Sequence, residues 1–289
     1  MKVPSAENNL RLLKAASRIP TPVWWPLARL ASLVLAARPP RPLRQWEINA
    51  TIATGQPQGV RGRRAAQFSW LRNTIGSLQL GRWSPERIRA AVDVDLSRAA
   101  ALKEVHAERG LVFATPHMGS WDLAGAYSCI VGLPVTSVAE RLPAGQFEYF
   151  RDLRSALGFE IHPFDAPNLV PTLCQDLQRG RVVCLVADRD FGRRGLPVRW
   201  PTPDGGRDLT LPAGPVVIAQ QTGAALVGIA CRYDGPRMHI TIGDEIALRP
   251  GREGAEKMAQ ELAEFFATNV AASPADWHMM QKLFPGEVA

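Results

Sequence analysis

The segment Leu111–Asp122, with the sequence LVFATPHMGSWD, decides the fold. Its first four residues form an apolar run that predicts a buried strand, and Gly119 and Ser120 then open a helical segment. His117 lies between the strand and the helix, where open α/β sheets place ligands and chemistry. A nearby carboxylate can hold an imidazole in one tautomer, as a general base requires, and Asp122 follows five residues later.

Strands and helices alternate on both sides of this segment. Further strands are predicted at 92–94, 135–138, 159–162, 182–187 and 225–231, of which 182–187 is fully apolar, and an alternating edge strand is predicted at 238–242. Helices are predicted at 96–109, 121–131, 144–157, 169–179, 213–222 and 255–271. Apolar strands that alternate with helices of this length are typical of an α/β fold, with a mainly parallel central sheet flanked by helices.

The N-terminal part of the chain differs from the rest in charge. Residues 1–90 carry 15 Lys and Arg against 3 acidic residues, whereas the remaining 199 carry 19 against 24. A basic region of this kind indicates an anionic partner. Trp24, Trp25 and Trp70 stand near arginines in segments with helical spacing, which is the composition of helices that lie on a bilayer. The other interpretation is that these helices pack on the body and point their arginines at water.

We therefore divide the chain into a basic amphipathic helical membrane-associating region, residues 1–80, and an α/β domain, residues 81–289. The most apolar segment, Val23–Ala37, is shorter than the roughly 20 residues of a spanning helix and contains Arg29. We expect neither a transmembrane span nor a secretory signal. The four cysteines form no CxxC pair, which favours reduced thiols over disulfides or zinc.

The spacing H-x-x-x-x-D is weak by itself, because it occurs twice. His239 and Asp244 match it as well as His117 and Asp122 do. His239 stands inside an alternating strand that ends in a turn, so a structural role is the better interpretation there. His117 stands before a helix start, where backbone N–H groups are available to bind a developing oxyanion.

Two charged segments follow other predicted strands. Glu140 and Arg141 come after the strand at 135–138, and Asp188-Arg189-Asp190 comes after the strand at 182–187. Each segment is either a solvated loop or part of a substrate site at the same sheet edge. The two aspartates also allow a Mg²⁺ site, but no other ligand set is evident and no metal is predicted. The basic loop Gly192–Gly195 extends the second segment.

The sequence contains no motif for several common chemistries. We find no G-x-S-x-G nucleophile elbow, no ATP-binding G-x-x-x-x-G-K-[ST] and no dinucleotide-binding G-x-G-x-x-G at a strand-to-helix turn. A histidine base without a protein nucleophile suits direct transfer, in which a substrate hydroxyl attacks an activated acyl group.

Six segments carry a resemblance to a known family. They are TPHMGSWD (115–122), VAERL (138–142), RSALGFEI (154–161), LVADRDFGRRG (185–195), LPAGPVVIAQQTGAAL (211–226) and Trp277-His278 before Phe284. Together they resemble the bacterial lysophospholipid acyltransferase superfamily, in the branch of lipid A late acyltransferases and phosphatidylinositol mannoside acyltransferases. The LVADRD context, the Arg/Ala/Pro-rich composition and the P-x-x-W-H ending favour the mannoside branch.

The resemblance implies an acyltransferase that moves a fatty acyl group from acyl-CoA, or from acyl-carrier protein, to a sugar hydroxyl of a glycophospholipid. Acyl-CoA is then a co-substrate, and no cofactor is expected. The implied base is His117, with Asp122 as its partner. Backbone N–H groups of Met118 and Gly119 would stabilise the oxyanion. The residues expected to line the substrate groove are Glu140, Arg154, Asp188, Arg189 and Asp190, and whether Asp188 or Asp190 is the functional acid stays open.

The implied setting is the cytoplasmic face of the plasma membrane, with the protein bound as a peripheral or monotopic protein. Its partners would be the anionic membrane and the glycophospholipid acceptor, and no nucleic acid is expected. Three alternatives stay open: a lipid A type late acyltransferase, a non-catalytic protein that binds membranes or other anionic ligands, and a metal hydrolase around Asp188 and Asp190.

Overall fold

The computed structural model describes residues 6–142, 145–190 and 195–285. The helices are α1 Ala6–Ala16, α2 Thr21–Ala37, α3 Arg41–Thr54, α4 Gly59–Gln79, α5 Pro85–Ala91, α6 Leu96–Arg109, α7 Trp121–Ile130, α8 Gln146–Ser155, α9 Leu169–Gln178, α10 Gly214–Thr222 and α11 Gly251–Ala272. The strands are β1 Val92–Val94, β2 Leu111–Thr115, β3 Val135–Ala139, β4 Glu160–Pro163, β5 Val182–Val186, β6 Leu196–Trp200, β7 Arg207–Leu211, β8 Ala225–Asp234 and β9 Arg237–Ile246.

A seven-stranded sheet in the order β1-β9-β8-β2-β5-β3-β4 forms the centre of the fold. Strands β8, β2, β5, β3 and β4 run parallel to one another, and β9 is antiparallel to β8. The predicted α/β fold with a mainly parallel sheet is confirmed. Because parallel strands carry their carboxyl ends at one edge, the loops after β2, β3 and β5 meet there.

Helices cover both faces of the sheet, which is why the central strands β2 and β5 are almost entirely apolar. In β2, Val112 and Ala114 point to the core beneath α9, α10 and α11, whereas Leu111 and Phe113 point to the opposite core. All five residues of β2 are buried. The helix α7 begins at the capping hydroxyl of Ser120, which accepts a hydrogen bond from the Leu123 N–H.

Two elements differ from the sequence-based expectation. The strand expected at an edge, β9, lies between β8 and β1, because β1 pairs with it in parallel from Val92↔Met238 to Val94↔Ile240. The antiparallel hairpin of β6 and β7 was not predicted.

Two sequence-based predictions fall partly on residues that are not described. The helix expected from residue 144 is described from Gln146, because 143–144 lie outside the described residues, and so do the basic residues 193–194 of the loop after β5.

The N-terminal helices contain both a buried part and an exposed apolar part. In α3, Leu43, Trp46 and Ala50 are buried, in a cluster with Ala66 of α4. In α2, by contrast, five large apolar side chains are exposed: Val23, Leu27, Leu30, Leu33 and Val34. Among the described residues, no helix combines the length and the apolar character needed to cross a bilayer. The division at residue 80 stays a prediction.

Candidate active site

His117 and Asp188 form a close pair at the carboxyl edge of the sheet. The strands β2 and β5 are neighbours with Thr115 opposite Val186, and each of the two residues follows its strand by two positions. A hydrogen bond from the Ala187 N–H to the Thr115 carbonyl (2.8 Å) continues this register past the strand ends. His117 Nδ1 therefore lies 2.5 Å from Asp188 Oδ1.

Asp188 is fully buried, and hydrogen bonds hold both of its oxygens. Oδ1 contacts the His117 ring, while Oδ2 accepts the His117 backbone N–H (3.0 Å) and the Trp277 indole N–H (2.8 Å). Burial alone would raise the pKa of the Asp188 carboxyl, but the charge of His117 and these hydrogen bonds outweigh it and hold the pKa below its usual value. Asp188 is thus a carboxylate that orients the imidazole.

The expected pairing of His117 with Asp122 is wrong. Asp122 lies in the first turn of α7 and binds Arg154 of α8 through both oxygens, at 2.7 Å to Nε and 3.2 Å to Nη2. Residue spacing brings Asp122 close to His117 in the chain, but the register of β2 and β5 gives the imidazole another partner. The Trp121 ring instead lies edge-on to His117, with 5.7 Å between ring centroids.

The structure also contradicts the oxyanion prediction for Met118 and Gly119. The Met118 N–H donates to the Pro116 carbonyl at 2.7 Å, and the Gly119 N–H donates to the Asp276 carbonyl at 2.9 Å. Both donors are therefore taken by protein acceptors. Gly119 has a φ of +56°, and a Cβ there would lie 2.6 Å from the Cys231 carbonyl oxygen, so only glycine fits.

A chamber of about 480 Å³ opens beside His117. Its lining is mostly apolar and comes from β3, β4, β5, α9, α10 and the loops at the sheet edge. Examples are Val138, Ile161, Leu169, Leu173, Leu185 and Ile218. We call this space the apolar chamber. Few polar side chains reach it, and these include the ones that sequence analysis selected: His117, Asp122, Glu140, Arg154, Arg189 and Asp190.

A second chamber of about 320 Å³ adjoins the first and has a different lining. It lies between α4 and α8, and we call it the mixed chamber because both aromatic and polar side chains line it. These are Trp70, Asn73, Thr74, Ser77, Phe147, Phe150 and Arg151. Trp121, Asp122, Glu140 and Arg154 line both chambers, so the Asp122–Arg154 pair stands at their junction.

The remaining predicted residues take separate positions. Asp190 accepts a hydrogen bond from the Thr210 hydroxyl (3.2 Å) of β7, which ties the hairpin to the chamber wall. Asp188 does not line the chamber but lies behind His117. Because protein donors engage both Asp188 oxygens, the two aspartates do not present a shared set of carboxylate oxygens of the kind that a Mg²⁺ site uses.

Among residues 6–142, 145–190 and 195–285, a different group of three side chains has the spacing of metal ligands. Glu160, His162 and Asp176 place one ligand atom each within 4.8 Å of the others. Arg179 forms ion pairs with both carboxylates, and Arg181 with Glu160. These two guanidinium groups already balance the negative charge, so we interpret the group as a structural ion-pair network.

Sequence reasoning missed the residues behind the imidazole. The Ser69 hydroxyl of α4 donates to Asp276 Oδ1 at 2.6 Å and lies 3.0 Å from His278 Nε2. Burial, together with the charge of His117, lowers the pKa of His278 to about 3, so this ring stays neutral. Trp277-His278 was part of the family resemblance, but no spacing rule connects residues more than 200 positions apart.

Two comparisons place the chain among known proteins. Residues 69–285 match the sequence profile described as bacterial lipid A biosynthesis acyltransferase. A phosphatidylinositol mannoside acyltransferase of Mycobacterium tuberculosis is 38% identical over 219 residues, which is 72% of this chain and 63% of the relative. Another of that name, from Mycolicibacterium smegmatis, is 39% identical over 178 residues, 61% of this chain and 57% of the relative. The matched part thus spans less than two thirds of each relative's length.

Proposed function

The chain belongs to the bacterial lipid A biosynthesis acyltransferase family, and we propose that it transfers a fatty acyl group from acyl-CoA to a sugar hydroxyl of a phosphatidylinositol mannoside. The names of the relatives support this acceptor class. The observation that carries the proposal is the position of His117, which is oriented by a buried carboxylate and lines an apolar chamber that adjoins a mixed one.

The two chambers suit the two halves of such a reaction. The apolar chamber offers aliphatic side chains from the sheet, α9 and α10, which is the environment that an acyl chain prefers. The mixed chamber offers aromatic faces beside amide, hydroxyl and guanidinium groups, a lining that combines apolar contact with hydrogen bonds to a polyhydroxyl ring. An acyl carbonyl and a sugar hydroxyl would meet at the junction, next to His117.

The chemistry follows from the orientation of the imidazole. Since His117 Nδ1 faces Asp188, the Nδ1–H tautomer donates to the carboxylate and Nε2 is the basic nitrogen. Nε2 takes the proton of the acceptor hydroxyl as its oxygen bonds to the thioester carbon. The carbon–sulfur bond then breaks, and the leaving thiolate takes the proton from Nε2. Asp188 stabilises the imidazolium between the two steps.

Membrane binding is the second part of the proposal. The exposed apolar side chains of α2 form a face that water does not favour, and arginines stand beside them in a region with a large excess of basic residues. Such a helix can lie in the interface of an anionic bilayer, where each nearby Lys or Arg contributes about 1 kcal/mol. We propose that the protein binds peripherally to the cytoplasmic face of the plasma membrane.

The activity is tested by offering palmitoyl-CoA and phosphatidylinositol dimannoside to the protein and following acylation by mass spectrometry. We expect transfer by the wild type and its loss in a folded His117→Ala variant. Transfer only from acyl-carrier protein, or only to a lipid A precursor, would redirect the proposal to another donor or acceptor. Equal transfer by both proteins would remove His117 from the mechanism.

Membrane binding is tested by sedimentation with vesicles that contain anionic phospholipid. The double variant Leu27→Glu/Leu30→Glu places two charges on the exposed face of α2 and should bind much more weakly than the wild type. Leu96→Glu is the matched control, because Leu96 is a strongly exposed apolar side chain on α6. Unchanged binding by the double variant would show that α2 does not contact the bilayer.

A further inference from the structure

A segment near the end of the chain crosses directly over the loop that carries His117. We call residues 273–281 the C-terminal strap. The His278 N–H donates to the His117 carbonyl at 2.7 Å, the Gly119 N–H donates to the Asp276 carbonyl, and Met118 forms an isolated antiparallel bridge with Trp277. These backbone contacts fix the position of the C-terminal strap relative to the loop that carries His117.

The Trp277 side chain points from the strap to the buried side of Asp188. Its ring is fully buried, and its indole N–H lies 2.8 Å from Asp188 Oδ2. The ring stacks on Trp200 of β6, with centroids 6.0 Å apart and planes 17° apart, and Phe284 packs edge-on against Trp200. Because an aromatic ring packs against the face of the Trp277 indole, its N–H stays directed at Asp188.

The two oxygens of Asp188 have different partners, and the difference matters for His117. Oδ1 faces the imidazole, whereas Oδ2 receives the backbone N–H of His117 and the indole of Trp277. A buried carboxylate that loses a donor tends to rotate, or to take up a proton, because an unpaired charge is costly there. Either change would remove the acceptor that holds the Nδ1–H tautomer of His117.

We propose that Trp277 is a positioning residue for acyl transfer, whose indole N–H fixes the Asp188 carboxylate so that Oδ1 stays directed at His117. The proposal rests on the function proposed above. Trp277 touches no chamber among the described residues, so it acts on the reaction through Asp188 and not through substrate.

Trp200 provides a matched control for Trp277. Both rings are fully buried and they stack on each other, but no hydrogen-bond partner is found for the Trp200 indole nitrogen within the described residues. Trp200→Phe keeps an aromatic face against Trp277 and removes no hydrogen bond to Asp188, so it changes packing alone. Trp277→Phe removes similar packing together with the donor to Asp188, so the difference between the two variants reports the hydrogen bond.

The kinetic test compares kcat, KM and the pH profile of the two variants. We expect Trp277→Phe to lower kcat roughly 10- to 100-fold with little change in KM, since a hydrogen bond to a charged group is lost and no substrate contact is touched. The acidic limb of kcat/KM should move to higher pH, because the His117–Asp188 pair then binds a proton more readily. Trp200→Phe should stay within about threefold of the wild type in kcat, with an unmoved limb.

A test that needs no substrate compares the melting temperatures of the two variants with that of the wild type, at pH 7 and at pH values below 4. The charged or titratable groups near Asp188 are the imidazoles of His117 and His278, together with Arg189 and Asp190, which follow Asp188 in the chain. Loss of the indole donor raises the pKa of Asp188 in the variant. The loss of melting temperature in Trp277→Phe should therefore be full at pH 7, and it should disappear only as pH falls through the wild-type folded value, which lies below the usual aspartate pKa of about 4. The loss in Trp200→Phe should be the same at all of these pH values.

The outcomes separate the inference from the function on which it rests. If the wild type transfers no acyl group to any acceptor offered, the proposed function fails, and the melting temperatures still decide whether Trp277 supports Asp188. If Trp277→Phe behaves like Trp200→Phe in both tests, the inference is wrong. Should Trp277→Phe not fold, a tryptophan analogue with sulfur in place of the indole N–H, incorporated at position 277, keeps the ring shape and must show the same loss of kcat.

Discussion

The chain contains two segments with the spacing H-x-x-x-x-D, and they end up in very different surroundings. In both, the histidine binds an aspartate from a neighbouring strand or strand end: His117 binds Asp188, and His239 binds Asp93 of β1 at 2.8 Å. Both imidazole side chains are 29% exposed, but the Asp188 side chain is 0% exposed and that of Asp93 is 40% exposed.

The aspartates of the two segments also behave alike. Asp122 binds Arg154 and Asp244 binds Arg98, so neither contacts the histidine of its own segment. What distinguishes the segments is the place of each pair in the sheet. The first pair lies past the ends of two central strands, beside a chamber, whereas the second lies across β1 and β9 near the sheet margin. Spacing alone does not define the site; a buried carboxylate and an adjacent cavity do.

The sharpest test of this comparison replaces each histidine. His117→Ala should lower acyl transfer roughly 10²- to 10⁴-fold, the usual contribution of a general base. His239→Ala should leave transfer within about twofold, because its ring lies outside both chambers. Rates are measured with the same donor and acceptor, and circular dichroism checks that both variants fold. A comparable loss in both variants would mean that the comparison is wrong.

A second test replaces the carboxylates that hold the two rings. Asp188→Asn keeps the shape but offers an amide to His117, which allows the wrong tautomer; we expect a loss of roughly 10²-fold or more in kcat. Asp93→Asn makes the same change beside His239 and should not alter kcat. If Asp190→Asn, and not Asp188→Asn, abolished transfer, Asp190 would be the functional acid.

A third test concerns the two aspartate–arginine pairs and measures stability. Arg154→Gln leaves Asp122 as a buried carboxylate without its cation, and we expect a loss of about 3 kcal/mol in the free energy of unfolding. Arg98→Gln affects an ion pair whose Asp244 side chain is almost fully exposed and should cause no measurable change. Urea titrations of both variants check this; equal losses would show that burial does not separate the pairs.

The smallest expected effect is on the stability that the exposed pair of His239 and Asp93 contributes. The hydrogen bond from His239, with the charge of Arg237, holds the pKa of Asp93 below its usual value and outweighs the opposing effect of desolvation. The pair therefore stabilises the fold above the pKa of an unfolded aspartate, about 4, and this contribution is lost as pH falls through the lower folded value. Asp93→Asn should lower the melting temperature slightly at pH 7, less at high salt, and not at all in acid. A deficit that grows in acid would contradict this sign.

Most of the sheet and its helices could be predicted because their patterns are local. The strand Leu111–Thr115 is apolar throughout, and α6 ends at Gly110 as the sequence indicates. The hairpin β6–β7 was missed because its strands are short and alternate weakly, and Pro197 lies inside one of them. The position of β9 was missed because the strand that pairs with its outer side, β1, is only three residues long, Val92–Val94.

The candidate site was predictable in part, for a similar reason. His117 was found from its place after β2, and Glu140, Arg154, Arg189 and Asp190 do line the apolar chamber. The partner of His117 was not found, because no local pattern says that β5 lies next to β2. A usable signal exists once that adjacency is known: His117 and Asp188 each follow their strand by two residues.

The loop that carries His117 is completed only by long-range contacts, and this has a consequence for how the protein acquires activity. Asp188 is 71 positions from His117, and Trp277 is 89 positions beyond Asp188. Contacts of such separation require the closure of long loops before they stabilise anything, so they tend to form late in folding. A chain that refolds from denaturant should regain its helical signal well before it regains turnover. The recovery of turnover would then report the last stage of folding, whereas the helical signal would report an earlier one.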